Sequence, residues 1–314
     1  LGKSLLTVKL VADVTRGDLE DQPATALLLS AEDSRQHVVT PRLIAAGADL
    51  TRVHFDDVHD KDGFPRPLSF PDDVNILEEM VKEYEVSLVV IDPLMAHLTS
   101  SVDSWKDQSV RRALAPLARL AEASGAAVLL VSHLNKGQSN DPLRRLGGSV
   151  GLSAAARSVM LLGHDPDDPD GGSGSRRVLA HVKSNVGELS ESLLYNVESA
   201  RVTYREVELE TARISHLGVS PHGGGELLES VEERSVSSLS EEVSFLQQEL
   251  ADGPRPAQEV SVAAERAGLS WDRVKRAKSR AGARSFKERV QNGRWMLELT
   301  GNLNLSSALK TSGE

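Results

Sequence analysis

Two fully apolar runs of strand length, separated by one amphipathic stretch, are the feature that most restricts the fold. The first run covers residues 87–91 and ends at Asp92, and the second covers residues 126–132. Between them, residues 106–124 carry apolar side chains at helical spacing and stop at Gly125. Strands without polar alternation are buried on both faces. The pattern therefore predicts an α/β fold with a mostly parallel sheet flanked by helices.

The same alternation continues through the first two thirds of the chain. It predicts helices at residues 5–14 and 76–85, and further strands at residues 26–30, 159–162 and 178–182. The acidic, glycine-rich segment 164–175 between the last two strands is typical of a hairpin loop.

The composition excludes several classes of protein. The chain has no cysteine, which excludes a disulfide scaffold, a zinc–thiolate site and a thiol nucleophile. No apolar run approaches the 18 or more residues of a membrane span. We therefore expect a cytoplasmic protein with no membrane contact.

The composition also divides the chain. Residues 1–212 carry the α/β pattern, and residues 213–240 are rich in Gly, Ser, Pro and Glu, as in a linker. Residues 241–300 hold three helix-like stretches and two strands joined by Asn292-Gly293, an order that predicts a small winged helix-turn-helix domain. Residues 301–314 are expected to be a disordered tail.

A phosphate-binding motif opens the chain. Gly2, Lys3 and Ser4 precede an apolar helix, as in the last third of a P-loop, where backbone N–H groups and the lysine bind phosphates and the serine hydroxyl binds Mg²⁺. The same tripeptide also starts ordinary helices. Because the motif's first glycine and preceding strand do not appear and residue 1 is Leu, we expect a fragment cut inside the motif; the alternative is an incomplete phosphate site.

Three polar residues follow later strand ends. Glu32 lies after the strand at 26–30, where it can polarise an attacking water, or it is a solvated loop acid. Asp33 beside it is expected to cap a helix. Asp92 ends an apolar strand, which is the position of the carboxylate that orients Mg²⁺ in nucleotide-hydrolysing enzymes of this type. His133 is either a γ-phosphate sensor or a strand-end histidine with a structural partner.

In this order the motifs resemble those of RecA-type P-loop ATPases, and more closely those of RepA-like hexameric replicative helicases. The resemblance covers about residues 1–210 and rests on Gly-Lys-Ser, Ser-Ala-Glu-Asp, Val-Val-Ile-Asp-Pro-Leu, Leu-Val-Ser-His-Leu-Asn-Lys and Gly-Gly-Ser. It implies a RecA-like core, here without its first strand, in a homohexameric ring that couples Mg²⁺-ATP hydrolysis to movement on single-stranded DNA. It also implies that Lys3 and Ser4 contact phosphate and Mg²⁺, with Glu32 and Asp92 as the catalytic and metal-orienting carboxylates and His133 as the sensor.

The resemblance extends to residues that would meet DNA or a neighbouring subunit. The loop after His133 corresponds to one that faces the ring channel, so Lys136, Arg144 and Arg145 are candidate phosphate contacts, or part of a polar surface loop. Arg157 and Lys183 are candidates for a cation that reaches the neighbouring subunit's ATP; salt bridges are the alternative.

The C-terminal segment is basic although the whole chain has a net charge of −10. Residues 271–294 contain nine basic and two acidic residues, with Arg273, Arg276 and Arg280 on one helical face. This arrangement predicts a recognition helix for duplex DNA, or a basic helix that binds protein. Trp271 and Trp295 are expected to be core residues of this domain, with base stacking as the alternative.

Two functions from different classes follow. The first is an ATP-hydrolysing DNA motor or replication ATPase. The second is a DNA-binding regulator whose degenerate ATPase core serves only nucleotide-dependent assembly. A third possible function is a recombination or repair ATPase with the same core. Such a protein would form filaments, whereas the DNA motor would form closed rings.

Overall fold

The computed structural model describes residues 2–19, 21–56, 58–103, 106–135, 141–145, 150–228, 240–279, 281–287 and 293–299. The chain divides into two compact units, Leu1–Ser230 and Val231–Glu314. Each unit has a hydrophobic core of its own. Among the described helices, none combines the length and the apolar character needed to cross a membrane.

Four parallel strands form the first sheet, in the order β2-β1-β3-β4. They are β1 (Thr25–Ser30), β2 (Val53–Phe55), β3 (Val86–Asp92) and β4 (Ala127–Leu130). The helices of this unit are α1 (Lys3–Arg16), α2 (Thr40–Ala45), α3 (Val74–Glu83), α4 (Asp107–Ser124), α5 (Pro142–Arg145) and α6 (Val150–Ala155). The predicted α/β fold with a parallel sheet flanked by helices is confirmed.

Both faces of this sheet are covered, which explains why its strands are apolar throughout. Leu27 and Leu29 of β1 lie in one core cluster with side chains of α3 and α4. Their neighbours Ala26 and Leu28 lie in the other cluster, with side chains of α1 and α2. Successive side chains of a strand point to opposite faces, so a strand between two helical layers needs apolar residues at every position.

A second sheet follows the first and is antiparallel. Its order is β5-β6-β7-β8, with β5 (Ser158–His164), β6 (Arg176–Ser184), β7 (Ser192–Tyr204) and β8 (Val207–Ser220). The hairpin between β5 and β6 agrees with the prediction. The long β7–β8 hairpin was not predicted, because its strands carry exposed charged residues such as Arg201 and Glu210 in place of continuous apolar runs.

The boundary of the first unit therefore lies later than the sequence indicated. Strand β8 continues to Ser220, inside the segment 213–240 that was expected to be a linker, and a helical turn follows at residues 224–228. Leu227 and Leu228 of this turn are buried against Leu161, Val178 and Ala180 of the second sheet. The remainder of that segment, residues 229–239, lies outside the described residues.

The second unit contains three helices and three short strands. In chain order they are α7 (Ser240–Glu249), β9 (Arg255–Pro256), α8 (Ala257–Arg266), α9 (Trp271–Ala277), β10 (Ala283–Lys287) and β11 (Trp295–Leu299). The strands form an antiparallel sheet in the order β10-β11-β9. Its core includes Leu246, Leu250, Val260, Ala264, Val274 and Leu297. The expected tail, residues 301–314, lies outside the described residues.

Candidate functional site

The parallel sheet brings the ends of three strands to one edge. Ser30 at the end of β1 pairs in register with Asp92 at the end of β3, and Val131 just after β4 donates a backbone hydrogen bond to Ile91. Glu32 and His133 follow their strands by two and three residues. Because carboxyl ends of parallel strands share an edge, residues far apart in the chain meet there.

The amino end of α1 faces the same edge. Gly2, the residue before the helix, has a φ of 93°, a left-handed conformation that favours glycine. No side chain caps this end, and its first turn holds no acidic residue. An uncapped helix N-terminus combines free N–H donors with the positive end of the helix dipole, and both favour a bound anion.

Lys3 and His133 are in direct contact. Lys3 Nζ lies 3.0 Å from His133 Nδ1. Partial burial lowers the pKa of the Lys3 ammonium, and the carboxylates of Asp92 and Glu32 act in the opposite direction. A half-buried ammonium next to carboxylates is stabilised further by an additional anion, such as phosphate.

The pKa of the Asp92 carboxyl is raised above its ordinary value. Burial raises its pKa, the Ser4 hydroxyl lowers it by donating a hydrogen bond, and the charge of Asp33 raises it. The nearby charges of Lys3 and Glu32 have smaller and opposite effects. A cation would relieve the cost of holding this charge in a partly buried place, so the set of ammonium, hydroxyl and carboxylate fits a magnesium–phosphate group.

We call Lys3, Ser4, Glu32, Asp92 and His133 the sheet-edge cluster. Glu32 is exposed, so water can reach its carboxylate. Its neighbour Asp33 is not the helix cap that the sequence suggested: it pairs with Arg42 at 2.6 Å, and the hydroxyl of Ser34 accepts the capping hydrogen bond from the His37 N–H.

The candidate channel loop is described only in part. Lys136 lies outside the described residues. The side chain of Arg144 is 74% exposed and lies 3.5 Å from Asp141. Arg145 is buried, and its Nε donates to the carbonyl of Asn135. The prediction of a surface phosphate contact at Arg145 is thus contradicted, since its guanidinium is buried and donates to a carbonyl of the same loop.

The two candidate cations for a neighbouring subunit differ in their surroundings. Arg157 is exposed and follows the end of α6. The ammonium of Lys183 donates to the carbonyls of Ser153 and Ala156, at 2.8 and 2.6 Å. Lys183 therefore caps the carboxyl end of α6, a role that neither the salt-bridge nor the subunit-contact expectation included.

One arginine of the predicted recognition face in the second unit has a partner within the unit. Arg273 Nε lies 2.6 Å from Oε1 of Glu242 on α7, whose side chain is 1% exposed. Arg273 therefore links two helices of the unit, and because its side chain is 42% exposed, its contact with DNA stays a prediction. Arg280 and the side chain of Arg276 lie outside the described part of the structure.

The two tryptophans of this unit differ from each other. Trp271 packs against the core, as expected. Trp295 is 59% exposed, so its prediction as a core residue is wrong. Trp295 is the first residue of β11, and the core contacts on its side of the strand come from Leu297 and Leu299 further along.

One polar cluster was missed from the sequence. His222 lies 2.8 Å from Asp167 and 3.0 Å from Glu226, and 3.9 Å from the buried Asp165. Burial lowers the pKa of His222, but its hydrogen bonds to Asp167 and Glu226 outweigh that effect and leave the pKa raised. The cluster joins two short segments, Asp165 with Asp167 and His222 with Glu226, that lie 55 residues apart between Asp167 and His222, so no sequence pattern indicated their contact.

Comparisons with known proteins found a family model and several solved structures that match this chain. A family model described as an AAA domain matches residues 1–139. No curated protein matches the chain. Among solved structures, a KaiC-like protein from Pyrococcus horikoshii OT3 is 16% identical with a TM-score of 0.42, over 67% of this chain and 84% of that one. The RadB recombinase is 14% identical with a TM-score of 0.40, over 62% and 81%. The AAA-domain match, taken with the geometry of the sheet-edge cluster, supports a P-loop ATPase core.

Proposed function

We propose that the chain is an ATP-hydrolysing DNA motor or replication ATPase with a RecA-like core of the RepA-like helicase type. The observation that carries the proposal is the convergence of Lys3, Ser4 and Asp92 with Glu32 and His133 at the uncapped start of α1. Each member of this cluster has a distinct use in phosphoryl transfer.

Lys3 and the N–H groups at the start of α1 would hold the phosphates of ATP. Ser4 and Asp92, which are hydrogen-bonded to each other, would hold Mg²⁺ and its water. Bound Mg²⁺ neutralises charge that develops on the transferred phosphoryl group. Glu32 orients the attacking water and accepts its proton, and His133, in contact with Lys3, senses the loss of the γ-phosphate.

The coupling to DNA is proposed for two surfaces. Lys136 and the exposed Arg144 contact single-stranded DNA in the channel of a homohexameric ring, in a manner independent of sequence. Arg157, exposed beyond α6, is our candidate for the cation that reaches the neighbouring subunit's ATP. Lys183 is less suited to that role because two carbonyls already hold it.

The second unit has the order of elements that is typical of a winged helix-turn-helix, with α9 in the position of the recognition helix. We propose that Arg276 and Arg280 contact the backbone of duplex DNA. Arg273 would orient α9 through its pair with Glu242.

The alternative, a regulator with a degenerate ATPase core, predicts nucleotide binding without turnover. An exposed Glu32 close to Lys3, Ser4 and Asp92 favours hydrolysis, since a degenerate core has no use for the carboxylate that activates water.

The test is ATP turnover with and without single-stranded DNA, in protein that carries a complete phosphate loop. We expect DNA to stimulate phosphate release, and Glu32→Gln to lower kcat by about 10²–10⁴-fold while ATP still binds, because only the general base is lost. Asp33→Asn is the matched comparison: it removes a neighbouring carboxylate that pairs with Arg42 and acts on Asp92 only through its charge, so its effect on kcat should be much smaller. Equal turnover in wild type and Glu32→Gln would remove the catalytic assignment, and binding without any turnover would favour the regulator.

A further inference from the structure

A cleft in the second unit combines an exposed tryptophan with several arginines. It measures about 670 Å³ and lies between α8 and the start of β11. Glu259, Val262, Ala263 and Arg266 form its helical side, at positions i, i+3, i+4 and i+7 of one helix face. The core face of the same helix is a different one, with Val260 and Ala264. The cleft is therefore a separate surface, away from the core.

Trp295 and Val262 give the cleft two exposed apolar side chains. Trp295 is 59% exposed and Val262 is 43% exposed. Tryptophan is among the most buried side chains on average, and exposing its large ring together with a second apolar side chain costs hydrophobic free energy. An exposed indole next to cations is an arrangement on which a planar base stacks.

The charge of the cleft is positive. Its charged lining residues are Arg255, Arg266 and Arg294, with Glu259 as the one acid among the described lining residues. Arg255 is held in place by Glu249 and lies 3.7 Å from Glu259. Lys287, also exposed, pairs in register with Trp295 on the neighbouring strand. This excess of cations around an indole is complementary to a chain of phosphates that alternate with bases.

We infer that this cleft binds single-stranded nucleic acid, with a base stacked on Trp295 and flanking phosphates contacted by Arg266 and Arg294. The site differs from the α9 face proposed for duplex DNA and from the channel loop of the first unit. It does not depend on the ATPase proposal, because no residue of the sheet-edge cluster takes part. An acidic peptide could pair with the same cations, but its carboxylates would not stack on the exposed indole ring.

The experiment measures binding of a fluorescein-labelled oligo-dT to the full chain, without ATP, by anisotropy and by quenching of tryptophan fluorescence. We expect Trp295→Ala to weaken binding by about tenfold, since stacking contributes about 1–3 kcal/mol per base. Trp295→Phe keeps an aromatic face, so it should retain most of the affinity while losing the quenching. Arg266→Ala should weaken binding and reduce its salt dependence.

Lys275→Ala is the control, because it removes one exposed cation of the same unit outside the cleft and should leave oligo-dT affinity unchanged. Circular dichroism verifies that each variant is folded. Quenching that persists in Trp295→Phe, or oligo-dT affinity unchanged in both Trp295→Ala and Arg266→Ala, would overturn the proposal. So would a poly-glutamate peptide that competes with oligo-dT as strongly as an unlabelled oligonucleotide does, since that result would identify a general anion surface.

Discussion

Two groups of charged residues differ in what their charges contact. One is the sheet-edge cluster, and the other is the set of cations that were predicted to contact DNA or a neighbouring subunit. In the cluster, Lys3 faces His133 and lies among carboxylates from two strand ends, next to an uncapped helix start. Arg145, Lys183 and Arg273 instead each contact a carbonyl or a carboxylate of their own unit. The first arrangement is suited to receive a ligand, whereas the second stabilises the fold.

The difference teaches which positions a sequence pattern determines. Parallel pairing places the residues after each strand at one edge, so the strand ends at Ser30 and Asp92 are sufficient to bring Glu32 and Asp92 together. The partner of a long, flexible cation depends on packing that the pattern does not encode. Helical spacing places Arg273 on a face of α9 but does not reveal that Glu242 of α7 faces it.

The largest effect that separates the two groups is expected at the candidate subunit contact. Arg157→Ala should lower ATP turnover of the assembled protein on the order of 10³-fold, because an arginine that reaches the neighbouring subunit's ATP stabilises transition-state charge. Lys183→Ala, the matched variant, should keep turnover within a few-fold and instead destabilise the protein by about 1 kcal/mol, through the lost cap of α6.

Phosphate-release kinetics and thermal unfolding distinguish these results. If Lys183→Ala loses turnover while Arg157→Ala keeps it, the two assignments must be exchanged, and the carbonyl contacts of Lys183 would then belong only to the unassembled chain.

A smaller effect is expected in the second unit. Arg273→Ala should lower the free energy of unfolding of the second unit by about 2 kcal/mol, because the buried Glu242 carboxylate loses the cation that lies 2.6 Å away. Hydrogen exchange of α8 and α9 measures this effect within the unit.

The control is the double variant Arg273→Leu, Glu242→Leu, in which no buried charge remains and stability should return. Unchanged exchange in Arg273→Ala would show that the pair contributes nothing to the stability of the unit. Loss of duplex binding in Arg273→Ala is informative only alongside this measurement, since a destabilised α9 would also bind poorly.

The fold could be predicted from the sequence where apolar periodicity was strong. Strands β1, β3 and β4 and helices α1, α3 and α4 follow from continuous or helically spaced apolar residues. The hairpin of β7 and β8 could not be predicted in this way. Its cross-strand pairs include Glu198 with Arg213 and Arg201 with Glu210, and such charged alternation resembles a loop when the neighbouring strand is unknown.

The positions of the candidate-site residues could be predicted better than the burial of residues elsewhere, because the site residues lie at the ends of predicted elements. Lys3, Asp92 and His133 are fixed by element ends, which the sequence marks. The burial of Arg145 and the exposure of Trp295 depend on tertiary packing, which outweighs the usual preference of each residue type.

The most direct test of the central claim is a double-mutant cycle on Mg²⁺-ATP affinity, measured by calorimetry in protein with a complete phosphate loop. The cycle uses Lys3→Ala, Asp92→Ala and the double variant. If both side chains hold the same magnesium–phosphate group, the two losses should be non-additive by about 1 kcal/mol or more, as for residues that share a partner. Losses that add within about 0.3 kcal/mol, the behaviour of independent sites, would contradict the account.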